Sequence, residues 1–172
     1  MSVRILPHDP LWKARYATEA EAIGKALGPN IASIHHIGST AIPMILAKPI
    51  IDILCVVRCF AILEDNEAKL MRLGYMAKGE YGIAGRRYYR KSDDHGLRTH
   101  HLHIFEPGSI HIDRHLAFRD YLRAFPEKAD EYSRLKASIM GDASSGHHYQ
   151  EDKAPFIMAV LDEAMEWHRR RP

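Results

Sequence analysis

Apolar positions in this chain change their period several times, and each change marks an element. Asp9-Pro10 pairs a helix-capping acid with a proline suited to a first helical position. Leu11, Trp12, Ala20, Ile23 and Leu27 then recur near helical spacing until Gly28-Pro29 ends the pattern. Residues 31–37 predict a strand that is rich in Ile but carries His35 and His36. Residues 49–57 form a nearly continuous apolar run interrupted by Asp52, as expected of a central strand covered on both faces. A helix over 61–73 stops at Gly74, and strands follow near 75–80, 86–91 and 98–106, with turns at Gly82, Gly85 and Gly96. Beyond Gly108 the period is helical again, over 111–125, 126–140 and 149–170, with Gly141 and Gly146 breaking the last two. The apolar stripe of this half runs through Leu116, Phe118, Tyr121, Leu122, Tyr132, Leu135, Ile139, Phe156, Ile157, Val160 and Leu161. The fold class is therefore α/β (α+β). One domain spans 1–172, with a mixed sheet and flanking helices over about 1–108 and a helical part over about 109–172.

At 172 residues the chain can bury one substantial core. No apolar run approaches the ~20 residues that span a bilayer, and the first ten residues lack the apolar core of a signal peptide. Cys55 and Cys59 are the only cysteines, and Cys55 lies within an apolar run. Their spacing suits neither a disulfide scaffold nor a structural zinc site. A soluble cytoplasmic protein without a membrane partner is expected. The net charge of +2 gives no strong nucleic-acid signal, although basic residues cluster at Arg86-Arg87, Arg90-Lys91 and Arg169-Arg170-Arg171.

Candidate chemistry concentrates in three places. In the first, Gly38-Ser39-Thr40 follows an apolar run. Gly38 permits a sharp turn and close approach of a ligand, and the two hydroxyls add donors beside exposed amides, which suits a phosphate. Asp52, in the next apolar run, needs a partner or a metal to offset its burial. A polar turn and an Asp bonded to a neighbouring loop would explain the same residues. In the second, His101 and His103 alternate with Leu102 and Ile104. On a strand the two imidazoles share a face about 7 Å apart, so with Asp52 they could hold one metal or one phosphate, or simply form a solvated face. The third is Gly85-Arg86-Arg87-Tyr88-Tyr89-Arg90-Lys91, whose guanidinium forks suit phosphate but equally protect an edge strand. Tyr149 and Lys153, four apart, share a helix face from which the lysine could reach an anion.

With these segments in place, the chain resembles the GrpB family, also designated UPF0157. The matching blocks are His36-Ile-Gly-Ser-Thr-Ala-Ile-Pro, Ala47-Lys-Pro-Ile-Ile-Asp-Ile, Gly85-Arg-Arg-Tyr-Tyr-Arg-Lys, Thr99-His-His-Leu-His-Ile, Arg114-His-Leu-Ala-Phe-Arg-Asp-Tyr-Leu-Arg and a looser block from Tyr149 through Lys153 to Ile157. The resemblance implies a nucleotidyltransferase-like fold, similar to the palm-like catalytic domain of polymerase-beta-type enzymes. It also implies a Gly-Ser turn facing acids that hold two magnesium ions. Gly38, Ser39 and Asp52 match the turn and the first acid. Leu54 stands where the second acid belongs, His101 or His103 where a third would come, and Met44 where related chains carry Gly after Pro43.

The resulting expectation is a divergent nucleotidyltransferase with a metal- and phosphate-binding cleft, moving a nucleotidyl group to a small molecule or protein. Asp52, His101 and His103 would hold a divalent ion, manganese or zinc in preference to magnesium. Gly38, Ser39, Thr40, Lys48, Arg86 or Arg87, Tyr149 and Lys153 would bind the phosphates, and His36 is the candidate base. Two alternatives stay open: a non-catalytic nucleotide- or ligand-binding module, favoured by Leu54, and a metal-dependent hydrolase of a phosphorylated small molecule.

Overall fold

The computed structural model describes residues 4–142 and 146–172, with side chains at all of these except 141–150 and 152. Helix α1 (Leu11–Leu27) opens the fold, its first turn capped by Asp9 Oδ1, which accepts from the Leu11 amide at 2.9 Å. Strands β1 (Ile31–Ile37) and β2 (Ile51–Val57) follow, joined through a short 3₁₀ turn at Ser39–Ala41. The helix expected over 61–73 is two helices, α2 (Phe60–Asp65) and α3 (Glu67–Arg72). Asn66 breaks it: its side-chain amide takes the Ile62 carbonyl at 2.8 Å, and its backbone N–H bonds instead to Leu63.

Strand β3 (Tyr75–Ala77) is shorter than the 75–80 expected, because Gly79 at φ 62° turns the chain away. β4 (Arg87–Ser92) and β5 (Arg98–Phe105) complete the sheet. Three helices close the chain: α4 (Ile110–Ala124), α5 (Pro126–Asp142) and α6 (Gly146–Arg170), the last starting three residues before the expected position and carrying Pro155 inside it. Among the described residues no helix is long and apolar enough to cross a membrane.

Strand order is β1-β2-β5-β4-β3, with β2 and β5 parallel and the other pairs antiparallel. Period-2 alternation sorts the side chains of this sheet onto two faces. One face carries Ile51, Ile53, Cys55, Val57, Leu102 and Ile104 and is sealed by Trp12, Ile23 and Leu27 of α1 with Leu63 and Leu70 of α2 and α3. The opposite face is apolar at one end, where Ile37, Leu54 and Phe105 pack under Ile112 and Leu116 of α4. Its other end carries Asp52, His101 and His103. Ile42 and Ile45, just past the 3₁₀ turn, enter the core of the helical part with Tyr121, Leu122, Tyr132 and Val160. Arg119 and Arg123 of α4 lock this junction by donating to the carbonyls of His36 (3.1 Å) and Ala41 (2.8 Å).

Candidate functional site

Parallel pairing of β2 with β5 sets Asp52 opposite His101 and Leu54 opposite His103. Asp52 Oδ1 lies 3.3 Å from His101 Nδ1 and 3.2 Å from His103 Nε2, so the three predicted residues meet on one face. Burial pushes the Asp52 carboxyl upward, but hydrogen bonds and charge from both imidazoles outweigh it and hold the acid well below the usual carboxylate range.

Arg86 sets the ring proton of His103. Its Nη1 is 3.3 Å from His103 Nδ1, and a guanidinium can only donate. His103 Nδ1 must therefore accept, which puts the ring proton on Nε2, directed at Asp52. A nitrogen carrying that proton has no lone pair for a metal, and a ligating imidazole needs an acceptor, not an arginine, at its other nitrogen. Among the described residues no group of three or more His, Cys, Asp or Glu side chains is placed to hold a metal ion. The expected divalent site at Asp52, His101 and His103 does not fit this donor set; the three residues form a hydrogen-bonded cluster instead.

Gly38 lies against the other carboxylate oxygen. At φ 72° it adopts a conformation that L side chains rarely accept, and a Cβ there would come within 2.7 Å of Asp52 Oδ2. Ser39, next in the turn, accepts at Oγ from Lys136 Nζ at 2.5 Å, and the same ammonium donates to the Leu46 carbonyl at 2.8 Å. Because lysine is a pure donor, the Ser39 hydroxyl keeps its own proton to give elsewhere. Lys136 is 2 % exposed, with Nζ 4.0 Å from the centre of the Tyr132 ring. Burial pushes it down to about 7, with Lys153 and Lys48 adding repulsion and Asp52 opposing it. Burial, together with Lys48, likewise lowers Lys153 to about 8, against the pull of Asp52. Lys48 is lowered by burial and by Arg98, again against Asp52. Three lysines from separate segments thus act on one another and on one carboxylate, and one of them, Lys136, is bonded at the turn.

Other predicted residues are placed elsewhere. His36 pairs with Ile53, so it faces α1, away from Asp52. There it is 7 % exposed, stacked on Tyr16 at 4.7 Å and hydrogen-bonded through Nε2 to Thr40 Oγ1 at 2.9 Å. Burial, then Arg123, pushes it down to about 4. It is an interior histidine rather than a base beside the cleft. Thr40 is buried with it, leaving Gly38 and Ser39 as the part of the turn beside Asp52. Arg87 lies on the α1 face, over the Phe60 ring at 4.4 Å and bonded to Glu64 at 3.2 Å, which removes it from the phosphate set. Arg86 lies on the Asp52 face but is held by backbone carbonyls of Glu80 and Tyr81. The Tyr149 side chain falls outside the described residues.

Lys136 and His115 were not foreseen. Lys136 stands in the stripe Tyr132, Lys136, Ile139, spaced for a buried face, and a lysine at such a position is the signal the pattern offered. His115, on α4, has its ring 5.3 Å from His103, and burial followed by repulsion from His103 pushes it down to about 3.

Comparisons with known proteins bear on the family and the fold. The profile of the GrpB protein family matches residues 2–163. UPF0157 protein YqkA of Bacillus subtilis is 41% identical over 170 residues, a match covering 98% of this chain and 49% of that protein; the chain thus spans about half of that relative. The crystal structure of the conserved protein GrpB from Enterococcus faecalis superposes with a TM-score of 0.91 at 36% identity, over 97% of this chain and 100% of that one. The Cid1 poly(U) polymerase with MgGTP bound superposes with a TM-score of 0.53 at 12% identity, over 77% of this chain and 44% of that one, a likeness of fold alone. The fold is that of the nucleotidyltransferases, and with the family profile matched almost end to end, this chain belongs to the GrpB family.

Proposed function

We propose that this protein binds a phosphorylated ligand, a nucleotide or related polyphosphate, with lysines supplying the charge that metal ions supply in nucleotidyl transfer. The observation that carries this reading is Lys136 bonded to the Ser39 hydroxyl, with Lys48 and Lys153 close enough to shift it, beside the Gly38 turn. Lys136 brings an ammonium group to the Ser39 hydroxyl, with Lys48 and Lys153 adding positive charge nearby, and Ser39 keeps a hydroxyl proton for a phosphate oxygen. Nucleotidyl transfer asks for paired carboxylates to hold two magnesium ions. Here the second position is Leu54, fully buried with Ile37 and Phe105, and Asp52 already accepts from His103 with His101 at 3.3 Å. A binding module therefore accounts for these residues better than a transferase or a metal-dependent hydrolase.

The test is calorimetric titration with ATP and with inorganic tripolyphosphate, in EDTA and again in magnesium or manganese. Binding of at least one anion in EDTA is expected, weakened about tenfold or more by Lys136→Met and by Lys153→Met. Binding that requires the metal, or that ignores both substitutions, overturns the reading.

A further inference from the structure

Next to the lysine recess, on the same sheet face, stands a group of aromatic rings that phosphate recognition does not use. Tyr88 pairs with His103 across β4 and β5, its ring 5.2 Å from His103 and 5.7 Å from His101. Tyr81, in the loop between β3 and β4, packs on Tyr88 at 5.3 Å. Arg90 stands over both tyrosines, 4.6 Å from the Tyr81 ring and 5.3 Å from that of Tyr88, and donates through Nε to the Tyr88 hydroxyl at 3.2 Å.

The Tyr81 backbone is strained. Its φ is 48°, a left-handed conformation that a bulky side chain disfavours. Surrounding contacts impose it. Arg86 donates to the Tyr81 carbonyl at 2.7 Å and to the Glu80 carbonyl at 3.1 Å, while Glu80 accepts from the Gly85 amide. A ring that only filled space would be covered, yet Tyr81 is 54 % exposed. Strain that persists under several clamps while holding an aromatic ring in the open is the pattern of a ligand contact. The same guanidinium that holds Tyr81 sets the proton of His103, so platform and Asp52 cluster share one anchor.

We infer that Tyr81, backed by Arg90, is a stacking platform for the planar base of a nucleoside, so that the phosphorylated ligand is a nucleotide rather than a simple polyphosphate. This rests on the phosphate reading above. Tyr81 stands two ring-to-ring steps, through Tyr88, from His103, which in turn contacts Asp52 at 3.2 Å. Stacking on an aromatic face tolerates any base, so the platform selects for the presence of a base before its identity. Arg90 behind the tyrosine strengthens the ring as a partner by cation–π contact.

Titration of the whole protein with ATP, GTP, CTP, UTP and inorganic tripolyphosphate tests this. Wild type should bind at least one nucleoside triphosphate roughly 5- to 150-fold more tightly than tripolyphosphate, the range of one base–aromatic stack. Tyr81→Gly deletes the ring in a backbone that glycine accepts without strain, so it should fold at least as well as wild type. It should bring nucleotide affinity down to that of tripolyphosphate and leave tripolyphosphate itself unchanged; Tyr81→Phe should retain the preference. Equal affinities in wild type with a silent Tyr81→Gly overturn the platform and leave phosphate binding standing. Equal weakening of all five ligands by Tyr81→Gly also overturns it, since the loop would then serve the phosphates alone. Failure of every ligand to bind overturns the phosphate reading and the platform with it.

Discussion

Asp52 and its neighbours form a site in which each atom leaves little room for substitution. Gly38 is the clearest case. Its φ of 72°, and the 2.7 Å that would separate a Cβ at this position from Asp52 Oδ2, penalise any side chain twice, once through the backbone and once through the carboxylate. Gly38→Ala should cost about 1–3 kcal/mol of folding stability and weaken anion binding, because the carboxylate must shift away from its imidazole donors. Urea denaturation and calorimetry measure the two effects; a variant as stable as wild type would mean that the turn has freedom the geometry denies. Leu54 gives a second case. In family terms, Leu54→Asp restores a missing acid. In physical terms, it puts a carboxylate among Ile37, Phe105, Ile112 and Leu116. With His103, opposite it, already committed to Asp52 and Arg86, such a buried charge costs several kcal/mol. The variant should melt far below wild type and gain no magnesium affinity, and a stable, magnesium-binding Leu54→Asp would revive the metal reading.

Among the elements, the sequence revealed faces more readily than partners. Alternation with Leu102 and Ile104 sets His101 and His103 on one face of β5, and in β2, buried on both faces, Asp52 stands out as the one carboxylate in the run. His36 and Arg87 were harder. Each belongs to a strand with polar residues at adjacent positions, His35-His36 and Arg86-Arg87, so alternation alone left either residue free to face the cleft. Only register decides: pairing of His36 with Ile53 and of Arg87 with Ile104 turns both toward α1. Asn66 hid for another reason, since the pattern of 61–73 is helical throughout and the break comes from one side-chain amide competing for a carbonyl. Lys136 hid because lysines on helices are ordinarily solvated, and its place on an apolar stripe gains meaning only once Ser39 is known to lie opposite.

Across the whole molecule, the recess is assembled from both parts of the fold. Gly38, Ser39, Lys48 and Asp52 come from the sheet part, Lys136 from α5 and Lys153 from α6. An anion held there ties the two parts together, and its charge acts on lysines that folding has already made reluctant to ionise. In the unfolded chain a lysine keeps its ordinary value near ~10.4, whereas Lys136 is pushed down to about 7 and Lys153 to about 8 in the native state. Between those values and the ordinary one the unfolded chain binds more protons, so these two groups make the ligand-free protein more stable as pH rises through that window. A bound phosphate reverses the balance, since it favours the charged ammonium and raises both lysines. Binding at pH 8 should therefore take up protons from solution, up to about 1.4, and binding at pH 6.5, where both lysines are already largely charged, should take up fewer. Affinity should fall as pH climbs from 7 toward 9. Calorimetry with tripolyphosphate in two buffers of different ionisation heat reads the proton count directly. Tight binding at pH 8 with no proton uptake would show that the anion sits away from Lys136 and Lys153, and would move the site out of the recess between sheet and helices.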